Sequence, residues 1–215
     1  HLARARFRGA VQEDQLGGKI GVGPKHDIVE NATRAYEDMF TIEKENADHS
    51  KTADRNFLRN VPYLLYLYNR QAEGNKWLKV LKEKYPIEVG ATTTLEEYAV
   101  AKTIEEVGET NVDKSRAVVG GYLINYLVHL IQDDDDRAMV YYRLAEKVWK
   151  RFQAAISGQE IRMGMESFED MRKQMIDKML DPEQGIRPEL QARLRSKLNL
   201  PAPAPSTNAP AAAAA

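Results

Sequence analysis

What most restricts this chain is its apolar rhythm, a 3.6-residue repeat that begins and ends on helix-capping residues and nowhere gives way to strand-like alternation. Thr94-Leu95-Glu96-Glu97 is its clearest start. In a Thr-x-x-Glu pattern the hydroxyl and the carboxylate each satisfy a backbone donor left orphaned at the helix end. Leu95, Tyr98, Ala101 and Ile104 follow on one stripe, Val107 lies near its end, and Gly108 is a natural stop.

The same period recurs along most of the chain. It predicts a first helix from an N-cap at Asp27, with Ile28, Ala32, Ala35 and Met39 on its stripe, ended by the polar segment 43–50. A second covers about 53–69, where Pro62 is expected to kink or restart the helix because its ring blocks a backbone hydrogen bond. A third carries Trp77, Leu78, Leu81 and Tyr85 and stops at Pro86. The apolar run 112–131 reads as a buried helix, and Asp133–Asp136 as a tight acidic turn into a helix bearing Ala138, Tyr142, Ala145, Trp149 and Phe152. A Met-rich helix over 167–180 and a short one opened by Pro188 at its first position complete the series. Helix is therefore expected over more than half of residues 27–198, with strands essentially absent.

Composition excludes several chemistries. The 215 residues carry a formal charge of −1, which argues against a dominant nucleic-acid footprint. Cysteine is absent, which removes disulfides, thiolate catalysis and Cys-based zinc sites. The four histidines show neither His-Glu-x-x-His nor Glu-x-x-His spacing, so no metal is expected. An EF-hand loop starting at Asp133 would need Gly and Glu where Ala138 and Leu144 stand. The aspartates are better read as caps that favour the positive end of the next helix. His129, on an apolar helix, is read as a hydrogen-bonded core residue. The glycine-rich stretch Gly17–Gly23 lacks the phosphate-loop lysine, because Pro24 stands in its place, and reads as a connector. No nucleophile elbow or singled-out carboxylate pair is visible, so no catalytic residue and no cofactor is assigned. The longest apolar run, 117–131, falls short of a membrane span.

Helices joined in pairs by short turns suggest a solenoid. The segment Arg55–Pro86 resembles a tetratricopeptide repeat: Leu58, Val61 and Leu65 match its first helix, and Gly74, Leu78, Leu81 and Pro86 its second. Pro62 replaces the usual glycine. The segment 118–151 is similar to a second, longer repeat through Ala138, Tyr142 and Ala145, without the closing proline. The resemblance covers about a third of the chain. It implies an all-α fold of tetratricopeptide-like antiparallel hairpins in a short right-handed solenoid. The expected organisation is a basic, Gly-rich arm over 1–26, the helical domain over 27–157, a C-terminal helical extension over 158–200, and an Ala/Pro-rich tail over 201–215.

Such a hairpin lines its concave groove with its first helix, so the resemblance assigns Asn56, Arg59, Tyr63 and Tyr66 to partner binding. Arg and Tyr are residue types enriched at binding hot spots. The expected function is a non-catalytic protein–protein interaction scaffold or accessory subunit of a larger assembly, with protein partners and no nucleic acid. Two alternatives stay open. One is a membrane-proximal structural subunit anchored by a missing N-terminal segment, since a chain that opens on His1 reads as processed or partly covered, with room for an upstream signal, anchor or domain. The other is an enzyme or cofactor-binding helical domain whose residues meet only in space. The compartment is not specified.

Overall fold

The computed structural model describes residues 10–13, 20–23, 29–42, 47–108, 111–157, 164–183 and 185–201. Among them are eight helices: α1 Val29–Ile42, α2 Ala47–Leu67, α3 Gln71–Lys84, α4 Leu95–Val107, α5 Val112–Ile131, α6 Asp135–Ala155, α7 Phe168–Met179 and α8 Pro188–Lys197. The fold is all-helical apart from one antiparallel ribbon, in which β1 Ala10–Glu13 pairs with β2 Ile20–Gly23. That ribbon corrects the reading of the arm as a plain connector. The glycines that argued against regular structure lie at or between two short strands, and backbone pairing needs no apolar alternation. The Asp27 cap, the arginines of the arm and the tail beyond Pro201 lie outside the described residues.

The caps fall where sequence chemistry puts them. Thr94 Oγ1 accepts from the Glu97 amide at 3.2 Å, and the Glu97 carboxylate accepts from the Thr94 amide at 2.8 Å. Asn111, Asp134 and Ser167 cap α5, α6 and α7 through their side chains. At three helix ends the left-handed residue is Asn69, Asp133 or Asn199, with φ between 53° and 59°. Each lets the next amide reach back five residues, as Arg70 does to the Leu65 carbonyl at 2.8 Å. Asn and Asp adopt this conformation more readily than other non-glycine residues.

Two boundaries differ from expectation. Helix α2 begins at Ala47 rather than near Ala53, taking in part of the supposed polar break. Tertiary partners explain this: Ser50 and Asp54 are buried, and Asp54 Oδ2 accepts from Tyr85 Oη at 2.6 Å and pairs with Lys84 at 2.9 Å. Of the two readings of Pro62, the restart falls: α2 is one helix of 21 residues that contains it.

Helices α2 and α3 form a hairpin, and α5 and α6 a second, more extensive one. Helix α1 packs on α2, and α4 lies against both α2 and α6. Most of the repeat-like positions are core: Leu58, Val61, Leu65, Leu78, Leu81, Ala138 and Ala145 are each at most 3% exposed, whereas Tyr142 is partly buried and Pro86 is exposed. Contact between α2 and α6 reaches across three intervening helices, whereas in a one-dimensional stack each repeat touches only its neighbours. A second apolar cluster joins α5 to α7 and α8 around Tyr126, Leu127, Leu130 and the fully buried Leu194. The acidic turn does more than cap. Asp133 pairs with Arg193 and Lys197, and Asp135 with Lys197, so the turn clasps α8.

Candidate functional site

Of the four residues assigned to a partner-binding groove, only Asn56 is open to solvent. Arg59 is held between carboxylates, its Nε 3.2 Å from Glu88 and its Nη2 2.6 Å from Glu105. Tyr66 is 3% exposed and donates to Glu96 at 3.2 Å. Tyr63 is 8% exposed. The exposed Arg–Tyr face is therefore corrected. Helical spacing does put these residues on one face of α2, but α4 and α5 cover that face instead of leaving it concave. The covering charge is matched: Glu96 and Glu105 of α4 meet the hydroxyl and the guanidinium that α2 presents.

Where α4 and α5 diverge over this face, an open groove remains. Thr103, Glu106 and Val107 come from α4, Tyr63 from α2, and α5 supplies Lys114, Ala117, Gly121, Tyr122 and Asn125. Three hydroxyls meet at its floor. Tyr63 Oη and Tyr122 Oη are 2.9 Å apart, and Tyr122 Oη and Thr103 Oγ1 are 3.0 Å apart. Thr103 Oγ1 also donates to the Ala99 carbonyl at 3.0 Å.

The direction of this chain follows from counting protons. A carbonyl only accepts, so the single Thr103 proton is committed to Ala99. Tyr122 must then donate to Thr103, and Tyr63 to Tyr122. Tyr63 Oη is left at the head of the chain with its own proton spent and, among the described residues, no donor directed at it. Burial pushes the Tyr122 hydroxyl far above the usual phenol range, so it stays protonated and serves as a link rather than a base.

The rest of the groove fits the same pattern. Asn125 donates its amide to the Gly121 carbonyl at 2.8 Å, which leaves its Oδ1 as an acceptor. Gly121 is a mid-helix glycine with nothing within 4 Å of the position a Cβ would take, whereas at neighbouring Gly120 a Cβ would lie 3.7 Å from Met175 Sδ. Lys114 enters no ion pair among the described residues. Sequence reading missed Thr103, Tyr122 and Asn125, since nothing in helical spacing says that two hydroxyls on different helices meet. The Gly120-Gly121 pair was visible, and a glycine costs a helix interior up to about 1 kcal/mol relative to alanine.

Two further clefts are open to solvent, one between α4 and α6 beside Lys147 and Arg151, the other between α7 and α8 beside Arg172 and Arg195. His129 lines none of the three. It is 7% exposed and stacked on Tyr141 with ring centroids 5.3 Å apart. Burial, with the Arg137 charge adding to it, lowers its pKa to about 4. Among the described residues no group of three or more His, Asp or Glu side chains gathers as a metal site. No helix there is long and apolar enough to cross a membrane. Comparison with protein-family models, with curated proteins and with solved structures finds no significant match to this chain.

Proposed function

We propose that this chain is a tetratricopeptide-like helical scaffold that holds a segment of another protein, acting as a non-catalytic subunit of a larger assembly. The observation that carries the reading is the α4–α5 groove. It is open along the surface, has small side chains on its α5 wall, and gathers hydrogen-bonding groups that belong to binding rather than bond-breaking: high-pKa phenol and threonine hydroxyls in a fixed order. The open space beside Gly121 leaves room for a partner's backbone to approach closely. The burial of the repeat-like positions supports a repeat-derived architecture, while the α2–α6 contact makes the array more compact than an extended solenoid.

The direct test is native purification with cross-linking, followed by mass spectrometry of the cross-linked peptides. Cross-links from Lys114, at the groove rim, to a different polypeptide are the expected result. A chain that migrates as a monomer and yields no cross-link to another polypeptide would overturn the scaffold reading.

A further inference from the structure

Where the two hairpins meet, a buried imidazole lies in the field of a guanidinium. Arg137 of α6 sits over the Tyr68 ring just past the end of α2, its Cζ 4.1 Å from the ring centroid. His129 of α5 stacks on Tyr141 of α6, the two rings 9° from parallel. Two buried nitrogens of this cluster, His129 Nδ1 and Arg137 Nε, have no hydrogen-bond partner among the described residues. The charges facing the imidazole are Arg137, which opposes a proton on it, and Asp134 of the turn before α6, whose Oδ2 lies 3.8 Å from Nδ1 and favours one. Gln132 of the same turn hydrogen-bonds the ring, and the other titratable groups of the cluster are the Tyr141 and Tyr68 phenols. Asp134 does not offset burial and Arg137. Its side chain is 43% exposed, so water screens it, and its Oδ1 is engaged in capping α6, accepting from the Arg137 amide at 3.2 Å.

A proton on His129 therefore sets a second positive charge against that of Arg137 in poorly hydrated surroundings. The imidazole is fixed to the α5 backbone and stacked on Tyr141. Arg137 is a long, part-buried side chain with one nitrogen unpaired, and a rotamer change carries its head to water. We propose that proton uptake by His129 expels Arg137 from the Tyr68 ring and loosens the joint between α2 and α6 while each hairpin stays folded, an acid-sensitive device built into the fold. Contact between α2 and α6 is slight beside contact within either hairpin, so the joint gives first. In the closed joint the His129 pKa is lowered to about 4, and where the ring meets water it regains its ordinary value of 6.5. Over that interval each pH unit of acidification favours the loosened form by up to about tenfold. At neutral pH the proton is absent and the joint stays closed.

The test is an NMR titration of the full chain from about pH 7.5 to about pH 4.5, following the His129 ring, the Arg137 Nε–H and the Tyr68 ring together. The face of an aromatic ring shields a group held over it, so the expected result is that this shielding of the Arg137 side chain collapses with the same midpoint as the His129 titration, below 6.5. Amides inside the α2–α3 and α5–α6 hairpins should keep their native positions over the same range. His129→Gln removes the proton site, and Arg137 should then stay on the Tyr68 ring throughout. Arg137→Gln removes the opposing charge, and the His129 midpoint should rise towards 6.5. That second variant leaves the imidazole in place, so the proposal stays decidable if His129→Gln does not fold. An Arg137 that keeps its shielding while His129 titrates overturns the proposal, since Asp134 has then absorbed the charge. So does a response that persists in His129→Gln, a His129 midpoint unmoved by Arg137→Gln, or loss of all native signals in one step.

Discussion

Replacing the three hydroxyls one at a time tests the proton order directly, because the order makes them unequal. In Tyr63→Phe the chain loses its head. Tyr122 still donates to Thr103, and Thr103 still donates to Ala99, so one hydrogen bond disappears and no donor is stranded. A net cost of about 1 kcal/mol or less follows. Tyr122→Phe removes the middle member and two bonds with it, leaving Tyr63, 8% exposed, holding a proton with no acceptor in the chain. One lost bond plus a stranded, mostly buried donor costs about 2–3 kcal/mol. Thr103→Val preserves shape but strands the Tyr122 proton, and falls in the same range as Tyr122→Phe. For a chain of this size each kcal/mol moves the melting temperature by about 2–4 °C. Tyr63→Phe should therefore melt within about 4 °C of wild type, and the other two should fall about 4–12 °C below it. Calorimetry reads the midpoints, and urea unfolding with an unchanged slope shows that all three variants unfold from the same native state. A Tyr63→Phe variant as unstable as Tyr122→Phe would refute the assigned direction.

The other predictions concern parts of the fold away from the groove. His129 is held neutral, with a folded pKa near 4 against an ordinary value of 6.5, so the unfolded chain binds the extra proton between those values. Its contribution is fully present above about pH 6.5 and drains away as pH falls towards 4, by about 3 kcal/mol in all; His129→Gln should flatten the stability–pH curve over that window, and an unaltered slope in urea titrations would show that His129 is not responsible. Leu194 is the fully buried anchor of α8, so Leu194→Ala should cost about 2–4 kcal/mol and open the Asp181–Arg187 connection to limited proteolysis; a wild-type digestion pattern would mean that the Asp133 clasp alone holds the helix.

Sequence by itself settled the local structure, because local structure is set by interactions within one or two turns. The Thr94–Glu97 box, the Asp134 cap, the Pro188 start and the apolar stripes each specify their helix with partners at most four residues away. It also settled which residues are core in the two hairpins, since Leu58, Val61, Leu78, Leu81, Ala138 and Ala145 are apolar or small at positions that only one helix face can bury. The polar and amphipathic residues were decided by tertiary structure. Residues 47–50 looked like part of a break, yet the helix that holds Asp54 against Lys84 and Tyr85 runs back through them. Tyr63 and Tyr66 share a face with Asn56 and Arg59 on any drawing of α2, yet whether that face is a groove or an interface depends on where α4 and α5 lie. A tyrosine is compatible with either environment, since its ring gains from burial and its hydroxyl needs only one partner. That partner was Tyr122, 59 residues along the chain and on another helix, and no local pattern encodes a meeting at that separation.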